Sequence, residues 1–191
     1  ENISYDGKSI AVIGTNNGST IINGNQSGTV VYFKGGEDST TLLEGFTLTN
    51  GGGGIGVYGG GISFYTGGSE TLSSPTIRNV LITGNSAQFG GGIDLGTNSN
   101  ATLINVTIIG NSAEHQGGGI NASSATIMNS IIWGNSPDNI SSVSSVVSYS
   151  NIQGGWEGEG IGNIDSDPLF IDAANGNYHL SDYSPCIGAG T

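Results

Sequence analysis

One motif recurs along the middle of this chain and leaves few folds open to it. Residues 77–87 read IRNVLITGNSA, with GGGI following at 90–93; residues 103–113 read LINVTIIGNSA, with GGGI following at 117–120. The offset is 26 residues, from Asn79 to Asn105 and from Asn85 to Asn111. A decayed third copy, IMNSIIWGNS, begins at Ile127 and sets Asn129 and Asn135 another 24 residues on. A related copy at 43–50, LEGFTLTN, has its own GGGI at 59–62. Self-similarity at a period of roughly 20–50 residues marks a solenoid.

Each unit contains short stretches of Val, Ile and Thr broken by Gly and Asn, which are strand residues punctuated by turn residues. No segment sustains a 3.6-residue period. The unit falls short of the roughly 30 residues that a βαβ crossover needs. It suits one turn of a coil of two or three strands, stacked on its neighbours in parallel at about 4.7–4.9 Å. Aligned copies give columns. Phe46, Val80, Val106 and Ser130 fall together, as do Leu48, Ile82, Ile108 and Ile132. The two columns are two residues apart, so they share a face, and their composition makes that face the core. The columns between and beyond them, Thr47/Leu81/Thr107/Ile131 and Thr49/Thr83/Ile109/Trp133, are mixed and are expected to face outward. Their threonine runs are interrupted by Leu81 and Ile109, which removes an ice-binding reading. Asn79/Asn105/Asn129 and Asn85/Asn111/Asn135 form two further columns. They read as coil corners, because Asn tolerates the left-handed conformation and its side chain bonds neighbouring backbone.

The 191 residues fit one domain. Net charge is −12, and the cations are Lys8, Lys34 and Arg78. That excludes nucleic acid, whose phosphates need Lys and Arg, and argues against anionic membrane surfaces. No apolar run approaches the 18 or more residues of a membrane-spanning helix, so no membrane insertion is expected. The single cysteine, Cys186, forms no intrachain disulfide. Low charge with abundant Asn, Ser, Thr and Gly has an extracellular look. The chain opens at Glu1 with neither Met nor a signal peptide, which reads as a processed protein or a fragment. Its first coil, with no cap before it, is expected to offer a bare strand edge.

Residues 1–34 are expected to form the first coil or two. Residues 51–58 enlarge a loop, and a second protrusion is expected between Ser63 and Ser74. The coils extend to about residue 154, with VVSYSNIQG at 146–154 as the last. From 155 the text becomes aperiodic: an open solenoid end needs a cover, so 155–191 is expected to fold back over the helix as a capping tail. The predicted class is thus all-β, a single-stranded parallel β-helix with an irregular C-terminal cap.

The GNSA segments followed by GGGI resemble the paired short motifs of polymorphic outer membrane protein repeats. The segments Asn163-Ile-x-x-Asp167-Pro-x-Phe170, Tyr178-x-Leu180 and Ser184-Pro-Cys-Ile are similar to the terminal segment of many bacterial secreted right-handed parallel β-helix proteins. The resemblance implies a right-handed helix, secreted or at a bacterial surface, in a group that includes adhesins and carbohydrate-active enzymes. Parallel crossovers are right-handed in general.

Three functions remain open. The first is a non-enzymatic module for adhesion or for binding carbohydrate or another polymer, with a polysaccharide or a host or cell-surface component as partner. Tyr58 and Phe89 precede Gly triplets and His115 lies next to Gln116 before the third; the three rings are expected to form an outer stripe on which sugars stack. The second is a polysaccharide lyase or glycoside hydrolase. A lyase needs a Lys or Arg base, and the three cations belong to no recognisable motif. A hydrolase needs two carboxylates about 5–10 Å apart, and Asp94 and Glu114 near corresponding turns are the candidates. The third is a structural subunit that self-associates end to end into fibres through bare parallel edges. No organic cofactor is expected. Calcium is the one metal that the tail suggests: Glu157, Glu159, Asp165, Asp167 and Asp172 put five acids within sixteen residues, and Asp165, Asp167 and Asp172 are its candidate ligands.

Overall fold

Asn and Gly take the left-handed backbone that L side chains otherwise avoid, and they place the corners of the coil. In the computed structural model, which describes residues 1–54, 56–64, 71–97 and 99–191, Asn79, Asn105 and Asn129 have φ of 54°, 55° and 53°. A second corner follows at Gly84, Gly110 and Gly134, with φ of 66°, 64° and 62°. Between these two corners lies one three-residue strand. The chain is a right-handed parallel β-helix, and its described residues form six rungs, each contributing one strand to each of three six-stranded parallel sheets.

The first sheet contains Ile3–Ser4, Val31–Phe33, Ile62–Phe64, Ile93–Leu95, Ile120–Ala122 and Ile140–Ser142. The second contains Ala11–Ile13, Leu42–Glu44, Thr76–Arg78, Ala101–Ile104, Ala125–Met128 and Val146–Ser148. The third contains Ile21–Asn23, Thr47–Thr49, Leu81–Thr83, Thr107–Ile109, Ile131–Trp133 and Asn151–Ile152. Ile108 pairs with Ile82 on one side and Ile132 on the other, the register that the repeats predict. Val80 and Val106 are both buried beside them. In the first sheet Ile93 and Leu95 enter the core cluster, and Asp94 between them lies on the opposite, outer face. Tyr5, Phe33 and Phe64 stack inside at 4.5 and 4.8 Å between centroids. At the far end Trp156 packs against the core and donates its indole N–H to the Glu159 carbonyl at 3.0 Å.

Two polar devices tie rungs together. Asn85, Asn111 and Asn135 are buried, at 2%, 1% and 8% exposure. Asn111 Oδ1 accepts from the backbone and side-chain N–H groups of Asn85, at 3.1 and 3.0 Å. Asn135 Oδ1 does the same for Asn111, at 3.0 Å twice. The Asn111 amide also donates to the Ile82 and Ile109 carbonyls at 2.9 and 3.2 Å. The two Asn columns therefore divide the work: the first supplies left-handed backbone, the second supplies hydrogen bonds. The second device is Glu37, fully buried. It accepts at 2.9 Å from the N–H groups of Gly7, Lys34 and Gly35 and from the Ser73 hydroxyl, so it joins three rungs. Burial works against its charge, but the bonds from backbone N–H groups and from Ser73 outweigh burial. Its pKa lies below the ordinary glutamate range.

Beyond residue 154 the chain adds a partial rung. Val147 N–H donates to the Glu159 carbonyl and Ile152 N–H to that of Ile164, each at 2.9 Å. The rest of the tail runs back along the outside of the third sheet. Its antiparallel hairpin pairs Phe170–Asp172 with Asn177–Leu180. There the Tyr178 hydroxyl lies 3.3 Å from that of Thr83. Leu81 and Thr107, expected to face solvent, line a shared crevice with the hairpin. The protrusion expected between Ser63 and Ser74 falls largely on residues 65–70, outside the described residues, as does Ile55 of the enlarged loop. Among the described residues no helix is long and apolar enough to cross a membrane.

Candidate functional site

The outward residues of the first sheet stack in register. Ser63 pairs with Asp94, Asp94 with Asn121 and Asn121 with Ser141. Asp94 is only 8% exposed. Asn121 Nδ2 donates to Asp94 Oδ1 at 2.6 Å, and Gln116 Nε2 donates to Asn121 Oδ1 at 3.1 Å. A directed chain of amides thus ends on a carboxylate. Burial pushes the Asp94 carboxyl above the ordinary carboxylate range, and the Asn121 bond pulls only part of that shift back.

Alongside this polar row stand the three rings. Tyr58 and Phe89 are stacked with centroids 5.6 Å apart and planes 3° from parallel; Phe89 and His115 follow at 4.8 Å, tilted by 51°. Because Phe89 lies against both Tyr58 and His115, the stripe is not a row of open faces. Tyr58 is 46% exposed. A bulge falls at this point of the ladder, where the 26-residue offset alone would set His115 opposite Phe89. Ala87 pairs with Ala113, but Phe89 pairs with Gln116, so Ser112–Gln116 carries one residue more than Ser86–Phe89. A β-bulge re-aims side chains in this way. It is visible in the spacing: Asn85 to Asn111 is 26 residues, whereas Gly90 to Gly117 is 27.

Tyr58, Phe89 and the polar row line one groove of about 690 Å³, together with Gln116, Thr97, Ser123 and Val143; the His115 ring touches Phe89 but does not line the groove. It spans the rungs of Asp94, Asn121 and Ser141, roughly 10 Å along the axis at the ~4.8 Å rung spacing. A volume of this size is ordinary for a ligand site. Glu114 lies elsewhere, lining a separate crevice with Gln26 and Ser86. The two carboxylates considered as a hydrolytic pair therefore do not share a groove. Lys34 is paired with Asp6 at 2.7 Å and Arg78 with Glu44 at 2.8 Å, and neither lines the groove. A second cavity, of about 360 Å³, lies under the tail beside Cys186, whose sulfur accepts from Asn151 at 3.1 Å. In the tail, Asp167 accepts from Leu169 N–H at 2.9 Å and Asp172 from the Asn175 amide at 2.8 Å. The structure does not gather Asp165, Asp167 and Asp172: among the described residues no group of three or more His, Cys, Asp or Glu stands where it could hold a metal ion.

Asn121, Ser141 and Val143 were not singled out from the sequence. Asn121 was within reach, since it follows Ile120 as Asp94 follows Ile93; Val143 lies beyond the last GGGI and carries no repeat signal.

Residues 105–123 match the Chlamydia polymorphic membrane protein repeat. The matched stretch carries Gln116, Asn121, Ala122 and Ser123, so part of the groove is built on this repeat. The chain is thus a parallel β-helix with one segment of this repeat type. No curated protein and no solved structure matches it.

Proposed function

We propose that this chain is a non-enzymatic binding module, displayed at a bacterial surface or secreted, that holds a polysaccharide along the outer face of its first sheet. The observation that carries the reading is the groove. Identical rung spacing sets Asp94, Asn121 and Ser141 in one polar row, and Phe89, beside the rung of Asp94, and Tyr58, one rung before it, line the same groove. A regular row suits a polymer of regular repeat. The exposed parts of Tyr58 and Phe89 supply apolar contact, and the amides and carboxylate supply hydrogen bonds. The separation of Asp94 from Glu114 into different crevices supports binding without hydrolysis. The repeat match supports the surface location, since the family is named for membrane proteins.

The test is binding to a panel of polysaccharides, with turnover followed in parallel. Wild-type protein should bind at least one polymer without cleaving it, and Tyr58→Ala should weaken that binding. Failure to bind any member, or binding unchanged by Tyr58→Ala, contradicts the reading.

A further inference from the structure

We infer that the groove selects uncharged glycans, with Asp94 as the residue that sets the selectivity. The inference rests on the polysaccharide-binding reading and adds the ligand's chemical class. Among the described residues Asp94 is the one charged residue in the groove lining, and no Lys or Arg lines it. Lys34 and Arg78 are committed to Asp6 and Glu44. Lys8 sits in the loop after the first strand and does not line the groove. The carboxylate of a uronic acid or a sialic acid placed here would meet a largely buried like charge, with no countercharge, in a site of low local dielectric. That is selection by repulsion. A hydroxyl meets the opposite situation: it donates to Asp94 and makes a charge-assisted hydrogen bond. Asn121, Gln116 and Ser141 extend the same neutral pattern of donors and acceptors along the axis.

A cationic ligand is the competing match for a lone carboxylate. The remaining polar groups of the groove argue against it, because they are amides and hydroxyls, and a polycation would meet one charge over three rungs. Asp94 is also engaged already by Asn121, which satisfies part of its need for positive partners.

Isothermal titration of the whole chain with four oligosaccharides of equal length decides the matter: cello-oligosaccharide, chito-oligosaccharide, its deacetylated cationic form, and oligogalacturonate. The expected result is that at least one of the two neutral ligands binds, with oligogalacturonate weaker by about tenfold or more. Asp94→Asn should lower neutral-glycan affinity by about tenfold while narrowing the gap to oligogalacturonate. Equal or tighter binding of oligogalacturonate overturns the selectivity and leaves the polysaccharide reading standing. Tightest binding of the cationic form overturns it likewise and identifies a cation site. Binding of none of the four overturns the selectivity, and the panel of polysaccharides then decides the broader reading. The comparison among ligands uses the wild type, so it holds whatever happens to the variant's folding.

Discussion

Asn111 links three rungs through one side chain. It accepts two bonds from Asn85, donates to two backbone carbonyls and shares the acceptor of Asn135. Replacing it by Ala strands several buried polar groups at once, each costing about 1–3 kcal/mol. Asn111→Ala is therefore expected to lower stability by about 3–5 kcal/mol in chemical denaturation; a loss under about 1 kcal/mol would mean the ladder contributes little. Glu37 gives a pH prediction. Its folded pKa lies below the unfolded value, so its contribution is fully present above the ordinary glutamate pKa of about 4.3 and is lost as pH falls through the folded value. Glu37→Gln puts an amide donor against donors and should cost about 2–3 kcal/mol at neutral pH. It should also flatten the acid limb of the wild-type stability curve, as thermal melts across the acid range will show. Asp94 has the opposite sign. Burial raises its folded pKa, so it favours folding at low pH, and that preference is lost as pH rises through the folded value. Asp94→Asn should thus melt higher than wild type at neutral pH while binding glycan less well. A group that costs stability and faces a groove is what a binding role leaves behind.

At the scale of the element, the glycine triplets are spaces between rungs. A Cβ on Gly91 would lie 2.3 Å from the Ser112 carbonyl oxygen and 2.6 Å from that of Gly118. On Gly54 its nearest neighbour would be a Val57 methyl at 3.7 Å. Gly91→Ala should therefore destabilise by about 2 kcal/mol or more through forced backbone shifts, and Gly54→Ala should be near neutral; equal melting temperatures for the two would refute the close-packed corner. These triplets, the apolar columns and the Asn corners were legible because a stacked rung repeats its neighbour's environment, and so its residues. The bulge leaves its own trace, a spacing of 27 against 26, which aligning the copies on their Asn residues passes over. The sequence marked the tail only by its loss of period. Its path along the third sheet rests on contacts such as Thr83 with Tyr178, 95 residues apart, and no repeat signals such a pairing. The outward placement of Leu81 and Thr107 was read correctly from pleating, but pleating does not reveal what later lies on top. In the groove, charge drew attention to Asp94 and away from Asn121, although the two occupy the same column.

For the whole molecule, stability is a sum over rungs and their interfaces. A break at Asn111 sits between the fourth rung and its neighbours, and it should broaden the unfolding transition as well as shift it. The net charge of −12 acts at longer range. It repels polyanions before contact, and salt screens that repulsion over a Debye length of about 8–10 Å at physiological ionic strength. Neutral-glycan binding should accordingly be insensitive to salt, whereas any uronate binding should strengthen as salt rises.

If adjoining rungs form one continuous recognition surface, chemical-shift mapping of labelled protein titrated with the tightest-binding neutral oligosaccharide shows it most directly. The prediction is a band of perturbed residues running along the axis through Asp94, Asn121 and Ser141 and along the flanking Tyr58 and Phe89. Perturbation confined to the third sheet and its tail, or scattered with no relation to rung order, would contradict it.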